Sequence, residues 1–277
     1  MYNLQGKTVI VTGSGRPQGI GEALIMRFAS EGCNVVVSDL GKAQGENLAS
    51  DHIGNTEEME SIAENARKLG VQAICVPCDV RVSADMQNLI NQAVKSFGSV
   101  DIFINNAGVG YLMELVTEMD EDKWDTVLDV NLKGYFLGIK YAATQMIVQG
   151  KGGRIINIAS QAAKSGFPFA CAYTASKHGV VGLTRSTAIE LGKYGITVNA
   201  VCPNHITTGL GDWQNKFFSD KLGLTHEQYM ERMKNNIPMG RPGLVEDIAK
   251  ACAFIASDQA QYVTGEAMNV SGGEEYH

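Results

Sequence analysis

Short β-branched runs alternate with longer stretches of helical spacing along the whole chain. Strand-like runs are Thr8 to Thr12, Asn34 to Asp39, Gln72 to Cys78, Ile102 to Asn105, Arg154 to Ile158, Thr197 to Cys202 and Ala267 to Val270. Between them, apolar residues recur at three- and four-residue intervals, as in Ile20, Ala23, Leu24 and Phe28, or in Met86, Leu89, Ile90, Ala93, Val94 and Phe97. That spacing puts one apolar stripe on each helix. Strands separated by helices predict a parallel sheet covered on both faces, an α/β doubly wound sheet of about seven strands. No linker, repeat or low-complexity segment interrupts the alternation, so residues 1–277 read as a single domain.

Two stretches exceed what short connections require. Residues 41–60 are polar, hold three glycines and follow the second strand, which reads as a surface insertion. Residues 209–236 mix Trp213, Phe217, Phe218 and Tyr229 with charges after the sixth strand. Ligands bind beyond the carboxyl ends of parallel strands, so this second stretch is expected to cover a substrate; the alternative is a pair of surface helices away from it.

Composition narrows the class. Hydrophobic residues make up 44% and charged residues 19% of 277 residues, the balance of a globular protein, and 31 glycines point to tight turns and close backbone approaches. A net charge of −7 argues against nucleic acid as a partner. No apolar run is long enough for a membrane helix and the first residues carry no secretory pattern, so a cytoplasmic protein without a membrane partner is expected. Six scattered cysteines read as free thiols, and Cys75-Val-Pro-Cys78, lacking a second pair, reads as structural, so no metal is expected.

The first strand runs into Thr12-Gly13-Ser14-Gly15-Arg16-Pro17-Gln18-Gly19-Ile20-Gly21, followed by an amphipathic stretch. A glycine turn between strand and helix lets backbone amides approach a pyrophosphate at the positive end of the helix. The strict dinucleotide spacing fails because Gln18 stands where its third glycine belongs, and an ordinary tight turn is the alternative. The second strand ends at Asp39, whose carboxylate suits ribose hydroxyls and repels a 2′-phosphate, favouring NAD over NADP. Arg16 argues the other way, since a guanidinium pairs with such a phosphate. Later come Asn131, Ser160 at a strand end, and Tyr173 with Lys177 at i and i+4 on one helix face.

Thr12-Gly13 with Gly19-Ile20-Gly21, Asn105-Asn106-Ala107-Gly108, Asn131-Leu132-Lys133-Gly134, Ser160, Tyr173-Thr174-Ala175-Ser176-Lys177, Pro203 through Thr208, and Val270-Ser271-Gly272-Gly273 resemble the short-chain dehydrogenases/reductases, from about Leu4 to Gly273. The resemblance implies a Rossmann-type fold and hydride transfer between a secondary alcohol or its ketone and a nicotinamide cofactor. It makes Tyr173 the proton-transfer group and Lys177 both its electrostatic partner and a holder of the nicotinamide ribose. Ser160 orients the substrate oxygen, and Asn131 helps maintain a water-linked proton path. A phenol of pKa about 10 is a poor base at neutral pH, and the ammonium of Lys177 is expected to lower it.

The same resemblance places Gly13, Gly15, Arg16, Gly19, Ile20 and Gly21 at the phosphates, Asp79 and Val80 beside the adenine, and Asn106, Ala107 and Gly108 along the adenosine ribose. Pro203, Ile206 and Thr208 fall at the nicotinamide carboxamide. Asn105 and Asn106 alternatively satisfy backbone groups at a strand end. Two departures stand out: five residues separate Gly13 from Gly19 where the family usually has three, and Asn204 follows Pro203 where it usually has glycine. Substrate contacts are expected from Gln161, Ala162, Phe167, Phe169, Asn204, His205 and the cover, including Trp213. The polar members Gln161, Asn204 and His205 suit a polyhydroxylated or acidic small-molecule substrate, and a polyol, sugar alcohol or small hydroxy compound is expected. The aromatics suit a hydroxysteroid or other bulky secondary alcohol, and a 3-oxoacyl reductase or a non-catalytic nicotinamide sensor are further alternatives. The resemblance also implies a homotetramer in which the tail from Glu274 to His277 approaches a neighbouring subunit.

Overall fold

The structure is a computed structural model describing residues 2–275. Its strands are β1 (Thr8–Thr12), β2 (Asn34–Ser38), β3 (Ala73–Cys75), β4 (Ile102–Asn105), β5 (Gly153–Ile158), β6 (Ile196–Pro203) and β7 (Ala267–Val270). They form one parallel sheet in the order β3-β2-β1-β4-β5-β6-β7. The order reverses between β1 and β4, which opens a crevice at the carboxyl ends of the strands. The strand expected from Gln72 to Cys78 is confined to Ala73–Cys75. Past it, backbone hydrogen bonds to the β2 side continue on either side of Pro77, from the Val76 N–H to the Val37 carbonyl at 3.0 Å and from the Cys78 N–H to the Asp39 carbonyl at 2.8 Å.

Strand side chains alternate between the two faces, and each face has its own core. Val9, Val11, Val35 and Val37 pack with Leu24 and Phe28 of α1 (Ile20–Ser30), Ile62 of α2 (Thr56–Arg67) and Ile248 of α9 (Val245–Ala256). Ile10, Val36 and Phe103 pack on the other side with Leu89 of α3 (Ser83–Phe97) and Leu137 of α5 (Gly134–Gln149). Between these lie α4 (Glu121–Leu128), α6 (Cys171–Leu191), α7 (Gly209–Leu222) and α8 (His226–Asn236).

The insertion after β2 ends at Asn55 rather than Glu60. Asn55 and Glu58 form a reciprocal capping box that starts α2 at Thr56, so the last five residues of the expected loop are helical. A bridge between Gly41 and Asn55 closes its base, and Leu48 and Ile53 are buried, so it is a packed flap and not a free surface loop. The expected cover is the pair α7 and α8, started by Thr208 and Thr225 side-chain caps. Cys75 and Cys78 are free, and burial chiefly pushes both thiols up to about 12, which keeps them protonated and inert.

Candidate active site

A single cleft runs along the carboxyl ends of the strands, from Asp39 and Asp79 through Gly13, Arg16 and Gly21 to Tyr173, Lys177 and His205. Gly13 has φ of +63°, and a Cβ there would lie 2.5 Å from the Ala107 Cα. A Cβ on Gly21 would lie 2.5 Å from the Ser14 Cα. Only glycine permits this approach of β1, its turn and the loop after β4. Asn106 fastens the same junction: its Nδ2 donates to the Thr12 and Gly13 carbonyls at 3.0 and 2.8 Å, and its N–H donates to the Thr12 hydroxyl at 3.1 Å. Asn106 therefore satisfies strand-end backbone groups and lines the cleft as well. Asn105 lies in the interior, donating to the Asn157 side chain at 2.8 Å.

Gly19, Ile20, Val80, Ala107, Gly108, Pro203, Ile206 and Thr208 line the cleft. Gly15 does not; it packs against Asp39 and Met59, where a Cβ would fall 2.7 and 2.6 Å from side-chain carbons, and its N–H donates to Asp39. The five residues between Gly13 and Gly19 thus send Gly15 under the second strand and carry Arg16 across the cleft. The Arg16 guanidinium ends 3.3 Å from where a Gly209 Cβ would stand.

Asp39 accepts three backbone N–H groups, from Gly15 at 2.9 Å, Leu40 at 2.8 Å and Gly54 at 3.1 Å. Burial nevertheless raises its carboxyl above the usual range. Asp79 is buried too, but two hydrogen bonds from the Arg81 guanidinium, at 2.9 and 2.7 Å, outweigh the burial and hold its carboxyl below the usual value. Arg81 also donates to Gln44 of the flap. His52 and Ile53 of the flap line the cleft; His52 stacks on Tyr111 at 3.7 Å, and the Tyr111 hydroxyl donates to the Asn47 carbonyl at 2.8 Å. Sequence reasoning missed Arg81, His52 and Tyr111, since nothing local joins loops that meet only in the fold.

At the other end, Tyr173 and Lys177 stand one turn apart on α6. Lys177 is buried; its Nζ donates to the Ile158 carbonyl at 2.8 Å and to the Tyr135 hydroxyl at 3.3 Å, and lies 5.7 Å from the Tyr173 ring centre. Burial pulls its ammonium down to about 7. Tyr173 is raised by burial and eased downward by a hydrogen bond with Ser160. The expectation that Lys177 lowers the phenol differs from this arrangement, because burial penalises both charged forms and the ammonium is turned to Ile158 and Tyr135.

Asn131 is fully buried within a π-helical turn, Asp129–Lys133, and does not line the cleft. Such turns displace one side chain from the helical register and cluster at functional sites. Tyr135, four residues on, was not singled out from the sequence, though its spacing from Asn131 puts both on one helix face.

The expected substrate contacts divide. Gln161, Ala162, Phe167, Asn204 and His205 line the cleft. Phe169 and Trp213 do not; they join an aromatic cluster with Phe217, at 5.6 and 5.2 Å between ring centres, that fastens the segment before α6 to α7. Phe169 holds this position with φ of +67°, a left-handed conformation rare for a bulky residue. The cover does reach the site, since Gln214 of α7 donates to the Gly110 carbonyl at 3.1 Å. The tail turns inward: Asn204 donates to Glu274, and Gln161 donates to Glu275 at 3.2 Å. Tyr276 and His277, the rest of the expected intersubunit tail, lie outside the described residues.

A doubly wound sheet whose glycine turn, strand-end acid and Ser, Tyr and Lys side chains share one cleft defines a nucleotide-dependent oxidoreductase. A family profile described as enoyl-(acyl carrier protein) reductase matches residues 13–275. A 3-oxoacyl-[acyl-carrier-protein] reductase of Staphylococcus aureus is 38% identical over 267 residues, covering 96% of this chain and 97% of its own. Among solved structures, carveol dehydrogenase of Mycobacterium avium in complex with NAD superposes with a TM-score of 0.91 at 29% identity, covering 99% of both chains. NAD+-bound xylitol dehydrogenase gives 0.88 at 30% identity, covering 98% of this chain and 100% of its own. The chain belongs to the short-chain dehydrogenase/reductase family and is an oxidoreductase acting on CH–OH groups. Among the described residues, no helix is long and apolar enough to cross a membrane.

Proposed function

We propose that the protein is an NAD-dependent dehydrogenase interconverting a secondary alcohol and a ketone, with a polyol, sugar alcohol or small hydroxy compound as substrate. The observation that carries this reading is that Tyr173 and Lys177 open into the same cleft as the glycine turn and Asp39. The cleft suits a dinucleotide: Gly13, Gly19 and Gly21 line it between β1 and α1, and a carboxylate stands at the ribose end. Bound NAD supplies a two-electron acceptor for the hydride leaving the carbinol carbon.

Tyr173 takes the carbinol proton on oxidation and returns it on reduction, with the Ser160 hydroxyl beside it to hold the substrate oxygen. Lys177, fixed by the Ile158 carbonyl and Tyr135, places its charge near the phenol ring and within reach of the nicotinamide ribose. Asn131 acts as a positioning residue, holding Val109 on the cleft wall. Asp39 favours NAD over NADP because a 2′-phosphate would meet a carboxylate.

Gln161, Asn204 and His205 in the cleft support a hydroxylated substrate, and the likeness to a xylitol dehydrogenase agrees. A second reading, reduction of a 3-oxoacyl thioester, is favoured by the 38% identical reductase. The test is absorbance of reduced nicotinamide, with NAD and NADP in parallel, over polyols, hydroxy acids, hydroxysteroids, simple secondary alcohols and a 3-oxoacyl thioester. Turnover best with NAD and a polyol, lost in Tyr173→Phe, supports the proposal. Best turnover with the thioester replaces it by the second reading. The assembly we propose is a homotetramer, which light scattering checks.

A further inference from the structure

After β7 the chain turns back through Gly272 and Gly273, with φ of +66° and +94°. A Cβ on Gly272 would lie 2.7 Å from Ile237, and one on Gly273 would lie 3.1 Å from Pro238, so the turn is packed and cannot easily be rebuilt with other residues. Ser271 locks it, donating to the Glu275 carbonyl at 2.9 Å and accepting from the Glu275 N–H at 3.3 Å. The turn brings two consecutive carboxylates against residues of the cleft wall at its substrate end, behind Asn204 and Gln161. Glu274 accepts from the Asn204 amide, and Glu275, itself buried, accepts from Gln161 at 3.2 Å. Asn204 and Gln161 both line that cleft, directly after β6 and after Ser160.

We propose that Glu274 and Glu275 are specificity-determining residues that act as a charge filter, admitting uncharged, hydroxyl-rich alcohols and turning away carboxylate-bearing ones. This rests on the alcohol dehydrogenase reading above. With amide nitrogens of Asn204 and Gln161 engaged by the tail, the hydrogen-bonding capacity left at these positions is weighted towards acceptors. Acceptors pair with hydroxyl donors. An incoming carboxylate offers none and feels the like charge of Glu274 and Glu275 from behind the Asn204 and Gln161 amides, where screening is weak. The excluded class is therefore hydroxy acids, and the admitted class neutral polyols and simple alcohols.

The experiment measures kcat/KM of the full-length enzyme with NAD for a pentitol, a simple secondary alcohol and a hydroxy acid of matched length. The proteins are wild type, Glu274→Gln and Glu275→Gln, each checked for native near-ultraviolet circular dichroism. The expected result is a fall of about tenfold or more in the ratio of neutral alcohol to hydroxy acid in either variant, produced by improved use of the hydroxy acid. The combined Glu274→Gln and Glu275→Gln substitution should lower the ratio at least as far as either single one. An unchanged ratio in both folded variants overturns the filter. Should one variant fail to fold, the other still decides, and an unchanged ratio there overturns the proposal. A wild type that prefers the simple alcohol to the pentitol overturns the polyol reading alone, because the filter is read from the neutral-to-anionic ratio.

Discussion

Asn131 holds both backbone groups of Val109: its Oδ1 accepts the Val109 N–H at 2.7 Å and its Nδ2 donates to the Val109 carbonyl at 2.9 Å. The same Nδ2 donates to the Ser176 hydroxyl at 3.2 Å, and Ser176 neighbours Lys177. One buried amide therefore ties the cleft wall to the helix that carries the proton-transfer pair. Asn131→Leu leaves those groups unpaired, which costs about 1–3 kcal/mol for each buried group left unsatisfied. Chemical denaturation should show this loss, and kcat should fall with it. A variant as stable as wild type would contradict the role assigned to this residue.

Tyr173→Phe removes the acid–base group and leaves the glycine turn and Asp39 in place. Turnover should fall by about 10²–10⁴-fold, the range for losing a positioned acid or base. A fluorescence titration with NADH should show binding within a few-fold of wild type.

Lys177 predicts a pH dependence of stability. Its pKa is near 7 in the fold and near the ordinary 10.5 when unfolded. Between those values the unfolded chain holds more protons, so this group makes stability rise with pH across that window. The cost of the buried ammonium is fully present below about 7 and gone above about 10.5. Urea midpoints measured without cofactor should climb from pH 7 to 9, and Lys177→Met should flatten the climb while abolishing turnover.

Asp39→Ala removes the carboxylate that a 2′-phosphate would meet and leaves Arg16 nearby. The NAD-to-NADP ratio of kcat/KM should drop by about tenfold or more, since removing a like-charge clash relaxes discrimination. Because Asp39 also receives the Gly54 N–H, melting temperature should fall as the flap loosens.

The His52 to Tyr111 stack joins the flap to the loop after β4 along the cleft. Stacked aromatic pairs contribute about 0.5–1.5 kcal/mol beyond buried area. His52→Ala should weaken NADH binding several-fold in a fluorescence titration and leave kcat at saturating cofactor nearly unchanged.

Local pattern alone was enough to determine the seven strands, their parallel arrangement and the order of the motifs. A continuous β-branched or apolar run is a short-range property, and Thr8–Thr12 or Ile102–Asn105, buried throughout, could be read to the residue. The tyrosine and lysine pair was legible for the same reason, since a spacing of four fixes a shared helix face. The tertiary structure alone decided which distant segments meet. Asp39 drew Gly15 away from the cleft. The aromatic cluster took Phe169 and Trp213 out of the substrate wall. The Gly272-Gly273 turn brought Glu274 and Glu275 to Asn204 and Gln161, and burial set the protonation of Lys177 and Tyr173. Each of these depends on contacts between residues far apart in the chain, or on exclusion of water by the packed whole, and neither quantity is encoded in any local stretch of sequence.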